Sequence, residues 1–277
     1  MSKKKPPRPE PETLGLAPFG VDSHAHLDMD AFDADRDEVL NKALASGVAR
    51  IGNVFLGPAA YRARRAYFDA HPEVFFLLGI HPGDAGQCTP ETLSDMRLAF
   101  TEDPRLRAVG EIGLDYYWND FPHEVQEAAF RAQLGLARDL DLPPVIHCRD
   151  AFEDTLRVLL DEGYANRKLL WHCFGGDSDQ ARKLLGQGWH LSIPGPVSYA
   201  KNEAIQEAVV HIPLERMLLE TDAPYLTAEP WRGKRNHPAL LGFTATAVAQ
   251  LKNLPVAEVW ATTGRNAITF FGLEGTK

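Results

Sequence analysis

The stretch VDSHAHLD (21–28) sets His24 and His26 one residue apart at the end of a short apolar run. Side chains at i and i+2 of a strand share a face, so both imidazoles could grip one cation. A catalytic metal usually takes three or more protein ligands, and the rest of the chain must supply them. Suitable side chains recur at the ends of later apolar runs. His81 stands in GIHPG, Glu111 and Asp115 in GEIGLD, and His147 beside Arg149 and Asp150. His172 opens HCFGG, and Glu220 and Asp222 lie in ETDAPY.

Those run ends need a frame to bring them together. Apolar runs predict strands at 20–26, 50–55, 74–80, 106–112, 143–147, 168–172, 189–193 and 216–220. Helical patterns fall between and after them, at 33–45, 59–70, 90–100, 122–140, 151–162, 177–186, 202–210, 238–252 and 255–270. The helix at 122–140 is the clearest, with Phe130, Leu134, Ala137 and Leu140 on one face. Thr89 and Pro90 suit the N-cap and first position of the helix at 90–100. Strands alternating with helices imply a parallel sheet, and eight units can close into an α/β (β/α)8 TIM barrel. In that fold every strand's carboxyl end meets at one mouth. Four histidines and two carboxylates between positions 24 and 222 would then converge, enough for two divalent cations. His24, His26 and Asp222 would hold the first, and His147 and His172 the second. Glu111 could bridge them, because its two oxygens can each face a cation.

Charge at such a site is informative. Two divalent ions bring four positive charges, and Glu111, Asp222 and a shared hydroxide remove three. The mouth stays positive and favours an anionic substrate such as a phosphate ester. The chain as a whole carries a net charge of −9, which argues against a broad basic grip on long nucleic acid. It leaves room for an enzyme that handles one phosphate at a time through bound cations.

Composition narrows the setting. Of 277 residues, 44% are apolar, enough for a sizeable core. No apolar run approaches the roughly 18 residues of a membrane span. The start, MSKKKPPRPEPE, is basic and proline-rich and lacks the apolar stretch of a secretory signal. Residues 1–19 read as a disordered tail and 20–277 as one barrel domain. Cys88, Cys148 and Cys173 make no disulfide framework and fit a reducing cytoplasm. Cys148 and Cys173 each follow a histidine, so strand alternation would turn them into the packing layer.

The motifs DSHAHLD, GIHPG, GEIGLDYYW, VIHCRDA, HCFGG, ETDAPYL and RGKRNHP, in this order, resemble the TatD family of metal-dependent deoxyribonucleases. Seven motifs in register, from about residue 20 to the end, make the resemblance specific. It implies an amidohydrolase-like barrel that removes nucleotides from 3′ ends of DNA, in some members also of RNA. It also implies the same six metal ligands. Single-stranded DNA ends would be the partner, with RNA as a second one, and neither a membrane nor an obligate protein partner is implied. Imidazole suits zinc, whereas carboxylate and water suit magnesium or manganese. Two positions depart from the family's usual pattern: His237 stands where glutamate is common, and Gly175 where serine is common. Both bear on substrate contacts rather than on the ligands.

A hydrolytic mechanism follows as an expectation. Asp222 would accept the proton of the attacking water as general base, with no cysteine or serine nucleophile. His81, Arg149, Tyr225, Arg232 and Arg235 are candidate substrate contacts, since a guanidinium fork binds two phosphate oxygens. Tyr117, Trp118, Tyr225 and Trp231 could stack on a terminal base. Asp28 and Glu220 suit partners that orient a ligand, and Asp115 could brace the loop after the fourth strand. His71, His123, His190 and His211 have no such context. Two rival readings are another barrel hydrolase acting on an ester or amide, and a non-catalytic binding protein. Several hydrolases of the first kind bridge their metals with a carboxylated lysine, where this chain offers Glu111. A protein of the second kind should have lost ligands, and all six are present.

Overall fold

Strand alternation builds the barrel. In β3 (Val74–Gly79), Phe75 and Leu77 pack into the lumen, whereas Phe76 and Leu78 join the layer under the helices. The lumen cluster also takes Val21, Val54, Ala108, Val145, Leu170 and Leu218, from six other strands. The computed structural model describes residues 7–118 and 120–275. Its strands close in sequence order as an eight-stranded parallel barrel.

The remaining strands are β1 (Gly20–Ala25), β2 (Val48–Leu56), β4 (Leu106–Asp115), β5 (Pro144–Arg149), β6 (Leu170–Trp171), β7 (His190–Ile193) and β8 (Met217–Leu219). The helices are α1 (Arg36–Ala45), α2 (Pro58–Arg64), α3 (Pro90–Glu102), α4 (His123–Asp139), α5 (Phe152–Asp161), α6 (Ser178–Leu185), α7 (Glu203–His211), α8 (Leu241–Lys252) and α9 (Val256–Phe271). β1 meets β8 at Asp22 and Leu219, which closes the cylinder. Phe270 and Phe271 of α9 join the lumen cluster and plug the floor. Thr89 caps α3 as expected, accepting from the Thr92 amide at 3.2 Å.

Several boundaries differ from the sequence reading. β6 is short, Leu170–Trp171, although the His172 amide still donates to the Ile146 carbonyl of β5 at 3.1 Å while its ring faces the mouth. β8 likewise stops at Leu219, while β4 continues three residues past the expected end. The helix expected at 59–70 ends at Arg64 and passes into a 3-10 turn over Arg65–Phe68.

The expectation of a disordered tail through residue 19 is corrected for residues 7–19. Pro11–Leu14 forms a 3-10 helix, and Leu14 packs with Ala228, Leu240 and Phe243. The indole N–H groups of Trp231 and Trp260 donate to the carbonyls of Pro9 (2.9 Å) and Ala17 (2.7 Å). The polar composition masks two leucines that have a docking face. Residues 1–6 of that tail lie outside the described residues. No helix among the described residues is long and apolar enough to cross a membrane.

Candidate metal centre and active site

Two breaks in strand register create the site. In β1, Val21 faces the lumen and Ser23 meets Ser192 of β7 at 2.9 Å, yet Ala25 belongs to the outer layer. A register shift between Asp22 and Ala25 resets the alternation, so His24 and His26 both turn inward. β4 does the same. Val109, Ile112 and Leu114 all face the helices, and the shift between Val109 and Ile112 turns Glu111 inward. Strict alternation from Val109 would have placed Glu111 outside. Gly113 has φ +152°, and a Cβ there would lie 1.9 Å from the His147 carbonyl oxygen. Only glycine lets β4 and β5 approach this closely.

Six side chains meet as a result. Glu111 is central: its oxygens lie 2.9 Å from His172 Nε2, 3.2 Å from His147 Nδ1, 3.5 Å from His26 Nε2 and 3.8 Å from His24 Nε2. Asp222 Oδ1 lies 3.5 Å from His26 Nε2 and 3.9 Å from His24 Nε2. The His24 and His172 rings stack at 3.8 Å. Among the described residues four overlapping triplets could each hold an ion: His24, His26 and Glu111; His24, His172 and Asp222; Glu111, His147 and His172; and His81, Asp115 and His147.

The surroundings hold these rings in place. Asp115 Oδ2 lies 3.0 Å from His147 Nε2, and its Oδ1 accepts from the amides of Tyr117 and Trp118. Glu220 lies 3.3 Å from His172 Nδ1 and accepts from the Cys173 amide at 2.7 Å. Asn53, which the sequence reading passed over, accepts the amides of Leu27 and Asp28 and donates to Asp28. Its signal was a lone amide side chain within the apolar run of β2. Asn236 was also missed as a brace: its Nδ2 donates to the carbonyls of Thr221 (2.8 Å) and Tyr225 (2.6 Å), on either side of Asp222.

Electrostatics favour a cation here. Burial works against charge on every member, so the shifts report strong mutual attraction. Burial raises Glu111, but His172, His147 and His24 hold it well below the usual carboxylate value. Asp222 is also raised by burial, and His26 first among its neighbours brings it below the ordinary value. Burial lowers His26, while Asp222 and Glu111 lift it to about 9. His172 and His147 likewise rise against burial, on Glu220 with Glu111 and on Asp115 with Glu111. His24 goes the other way, lowered by burial and then by His172. It is fully buried, and neither ring nitrogen has a hydrogen-bond partner. An unpartnered buried imidazole among carboxylates is what a ligand without its ion should look like, and the donor set fits a divalent metal.

The mouth is a cavity of about 670 Å³. His26, Glu111, His147, His172 and Asp222 line it, and so do the expected contacts His81, Arg149 and Tyr225. His81 Nδ1 accepts from the Gly83 amide at 2.9 Å, and burial lowers the ring to about 4. It is therefore neutral near pH 7 and presents Nε2–H as a donor. Arg149 lies 3.9 Å over the Tyr117 ring. Two expected contacts are absent from the lining. Arg235 grips Asp35 and the Ala31 carbonyl over the Phe32 ring, and Arg232 lies 4.0 Å over Tyr199. Their basic loop is engaged by neighbouring loops, a competition invisible in composition. Trp231 is similarly tied to Pro9.

Two other expectations change. Cys173 lines the mouth rather than the packing layer, because the chain has left β6 and its φ is +50°. Cys148 packs against the outer layer beside the Thr155 hydroxyl, and it also borders the mouth. His237 lies away from the mouth, among Lys42, Arg235 and Asp35, so this departure from the family pattern affects packing there. Gly175 does line the mouth.

A closed (β/α)8 barrel with a buried histidine–carboxylate cluster at its strand ends defines the class of barrel hydrolases that work through bound metal. Within that class the chain belongs to the TatD related DNase family, which it matches over residues 21–272. It is 37% identical over 251 residues to the uncharacterized metal-dependent hydrolase YabD of Bacillus subtilis strain 168, covering 90% of this chain and 98% of that one. It is 33% identical over 260 residues to the 3′-5′ ssDNA/RNA exonuclease TatD of Erwinia amylovora, covering 91% and 99%. The crystal structure of YJJV, a TatD homologue from Escherichia coli K12, matches with a TM-score of 0.86 at 26% identity, covering 92% of this chain and 98% of that one.

Proposed function

We propose that this chain is a 3′–5′ exonuclease that hydrolyses terminal phosphodiester bonds of single-stranded DNA, and also of RNA, with two divalent cations. The name of the Erwinia amylovora relative supports the substrate class. The observation that carries the metal requirement is His24, buried with both ring nitrogens unpartnered beside Glu111 and Asp222. Leaving such a group unsatisfied costs about 1–3 kcal/mol. His24, His26 and Asp222 would hold one ion, His147 and His172 the other, with Glu111 shared. Magnesium, manganese and zinc are the metals this mixed donor set accepts. When bound, such cations polarise a phosphoryl oxygen and acidify a water.

The protein's own groups do the rest. Asp222, held ionised by His26, accepts the proton of the attacking water. The water adds to phosphorus as the bond to the 3′ oxygen of the penultimate nucleotide breaks in line with it, and that oxygen takes a proton from solvent water to become the 3′ hydroxyl. His81 donates from Nε2 and Arg149 from its guanidinium edge to the non-bridging oxygens. Asp115 and Glu220 keep His147 and His172 aimed inward. A reducing compartment suits the three free cysteines.

The test is a digest of 5′-labelled and 3′-labelled single-stranded oligonucleotides with magnesium, manganese or zinc, and with a chelator. The 5′ label should pass into progressively shorter strands and the 3′ label straight into mononucleotide, and chelation should stop both. No turnover with any of the three metals would sink the proposal, and so would a preference for simple carboxylic esters.

A further inference from the structure

A second cavity, of about 590 Å³, adjoins the mouth. Its walls come from the segments after β5 and β6, with Tyr116, Phe152, Trp171 and Gln180 among them. Four residues line both cavities: Cys148, Arg149, Cys173 and Gly175. All eight strands or their following loops contribute to the mouth, so it is a ringed dead end. The second cavity is walled mainly by two loops and forms a groove leading away from it.

Arg149 sits at the junction. Its guanidinium lies over Tyr117 at 3.9 Å and 5.5 Å from the Trp118 ring centre, and it has no carboxylate partner among the described residues. Arginines on the barrel's outer face behave differently: Arg131 and Arg157 are each bound to several carboxylates. A guanidinium laid flat on a ring keeps its N–H edge free for phosphate oxygens. Two ring-lined cavities with such an arginine between them match two nucleosides joined by one phosphate.

The geometry points to the groove as the subsite for the penultimate nucleoside, with the 3′-terminal nucleoside in the mouth. This rests on the exonuclease reading above. A chain end belongs in the dead end, and the continuing strand leaves by the groove. Phe152 and the face of Tyr116 turned away from its stacking partner His123 offer ring surface for a base, and Asp150 and Gln180 offer acceptors for its amino groups. Since both bases would lie in walled cavities, at least the last two nucleotides must be unpaired.

The test compares the dinucleotide dTpdT with the methyl ester of thymidine 5′-phosphate, whose leaving group carries no ring, using metal-loaded enzyme. Both substrates fill the mouth with thymidine, and only dTpdT reaches the groove. Phe152→Ala removes a groove ring. Phe152 also packs on Trp171, so Tyr116→Leu, which removes the other groove ring and does not line the mouth, serves as a second variant. Each variant should lower the ratio of kcat/KM on dTpdT to kcat/KM on the ester by about tenfold or more, as lost base stacking predicts. A ratio within about twofold of wild type, including parallel loss on both substrates, overturns the subsite. Turnover of neither substrate by wild-type protein overturns the exonuclease reading, and the subsite with it.

Discussion

The two ends of the lumen treat histidine in opposite ways. At the floor, His190 packs against Phe270 with ring centres 5.3 Å apart, and burial followed by Arg216 and Lys168 lowers it to about 4. At the mouth, the charges of Asp222 and Glu111 overcome burial and lift His26 to about 9. Burial disfavours charge at both ends, and only the mouth supplies carboxylates close enough to reverse it. The floor is built for stability, from Phe75, Leu77, Phe270, Phe271 and their neighbours. The mouth leaves both ring nitrogens of His24 unpartnered, against Nδ1 alone of His190 at the floor, and adds crowded charge, which costs stability in the absence of a ligand.

The contrast can be tested by mutation. Asp222→Asn should reduce turnover by about a thousandfold or more, a scale typical of losing a general base that also contacts metal. Circular dichroism should show the fold retained, and near-wild-type hydrolysis would remove Asp222 from the mechanism. At the opposite end, Phe270→Ala should destabilise the barrel by about 3–5 kcal/mol. Denaturant titration measures that loss, and activity per folded molecule should stay close to wild type. If activity per folded molecule fell as far as with Asp222→Asn, the two ends would not be separable.

Asp115→Asn should act more mildly, through the aim of His147. We expect metal affinity to fall about 10–100-fold, measured by calorimetric titration of the metal-free protein. Unchanged affinity would make Asp115 a loop brace only.

The smallest effect is a pH dependence at the floor. His190 has a folded pKa of about 4 against an ordinary value of 6.5. Its neutral form therefore contributes stability fully above about pH 6.5, and the contribution is lost as pH falls toward 4, because the unfolded chain takes up the proton first. Allowing for partial exposure, the effect is on the order of 1 kcal/mol. His190→Gln should flatten the stability profile over that interval, and an unaltered slope would assign the acid sensitivity elsewhere.

Much of this arrangement was legible beforehand. The eight apolar runs lie where the strands form, since burial of alternate side chains leaves a periodic record. The histidines and acids at their ends could be assigned to one mouth, because closing a parallel barrel aligns all carboxyl ends. Contacts made by loops were harder to read. The side chain of Arg235 promises phosphate binding by type, and its nearest partner is Asp35, two hundred positions away. Leu14 sits in a charged, proline-rich segment, and only the face offered by Ala228, Leu240 and Phe243 fixes it.

Residue types and their order determined the barrel, the six candidate ligands and their arrival at one end of it. The tertiary structure alone decided that Glu111 faces inward, because a register shift in β4 cancels the alternation that local sequence implies. It also decided that Cys173 reaches the mouth and that Arg232 stays out of it. The physical reason is shared. Alternation and side-chain chemistry are properties of neighbours along the chain, whereas register shifts and loop pairings depend on surfaces that meet only when the cylinder closes.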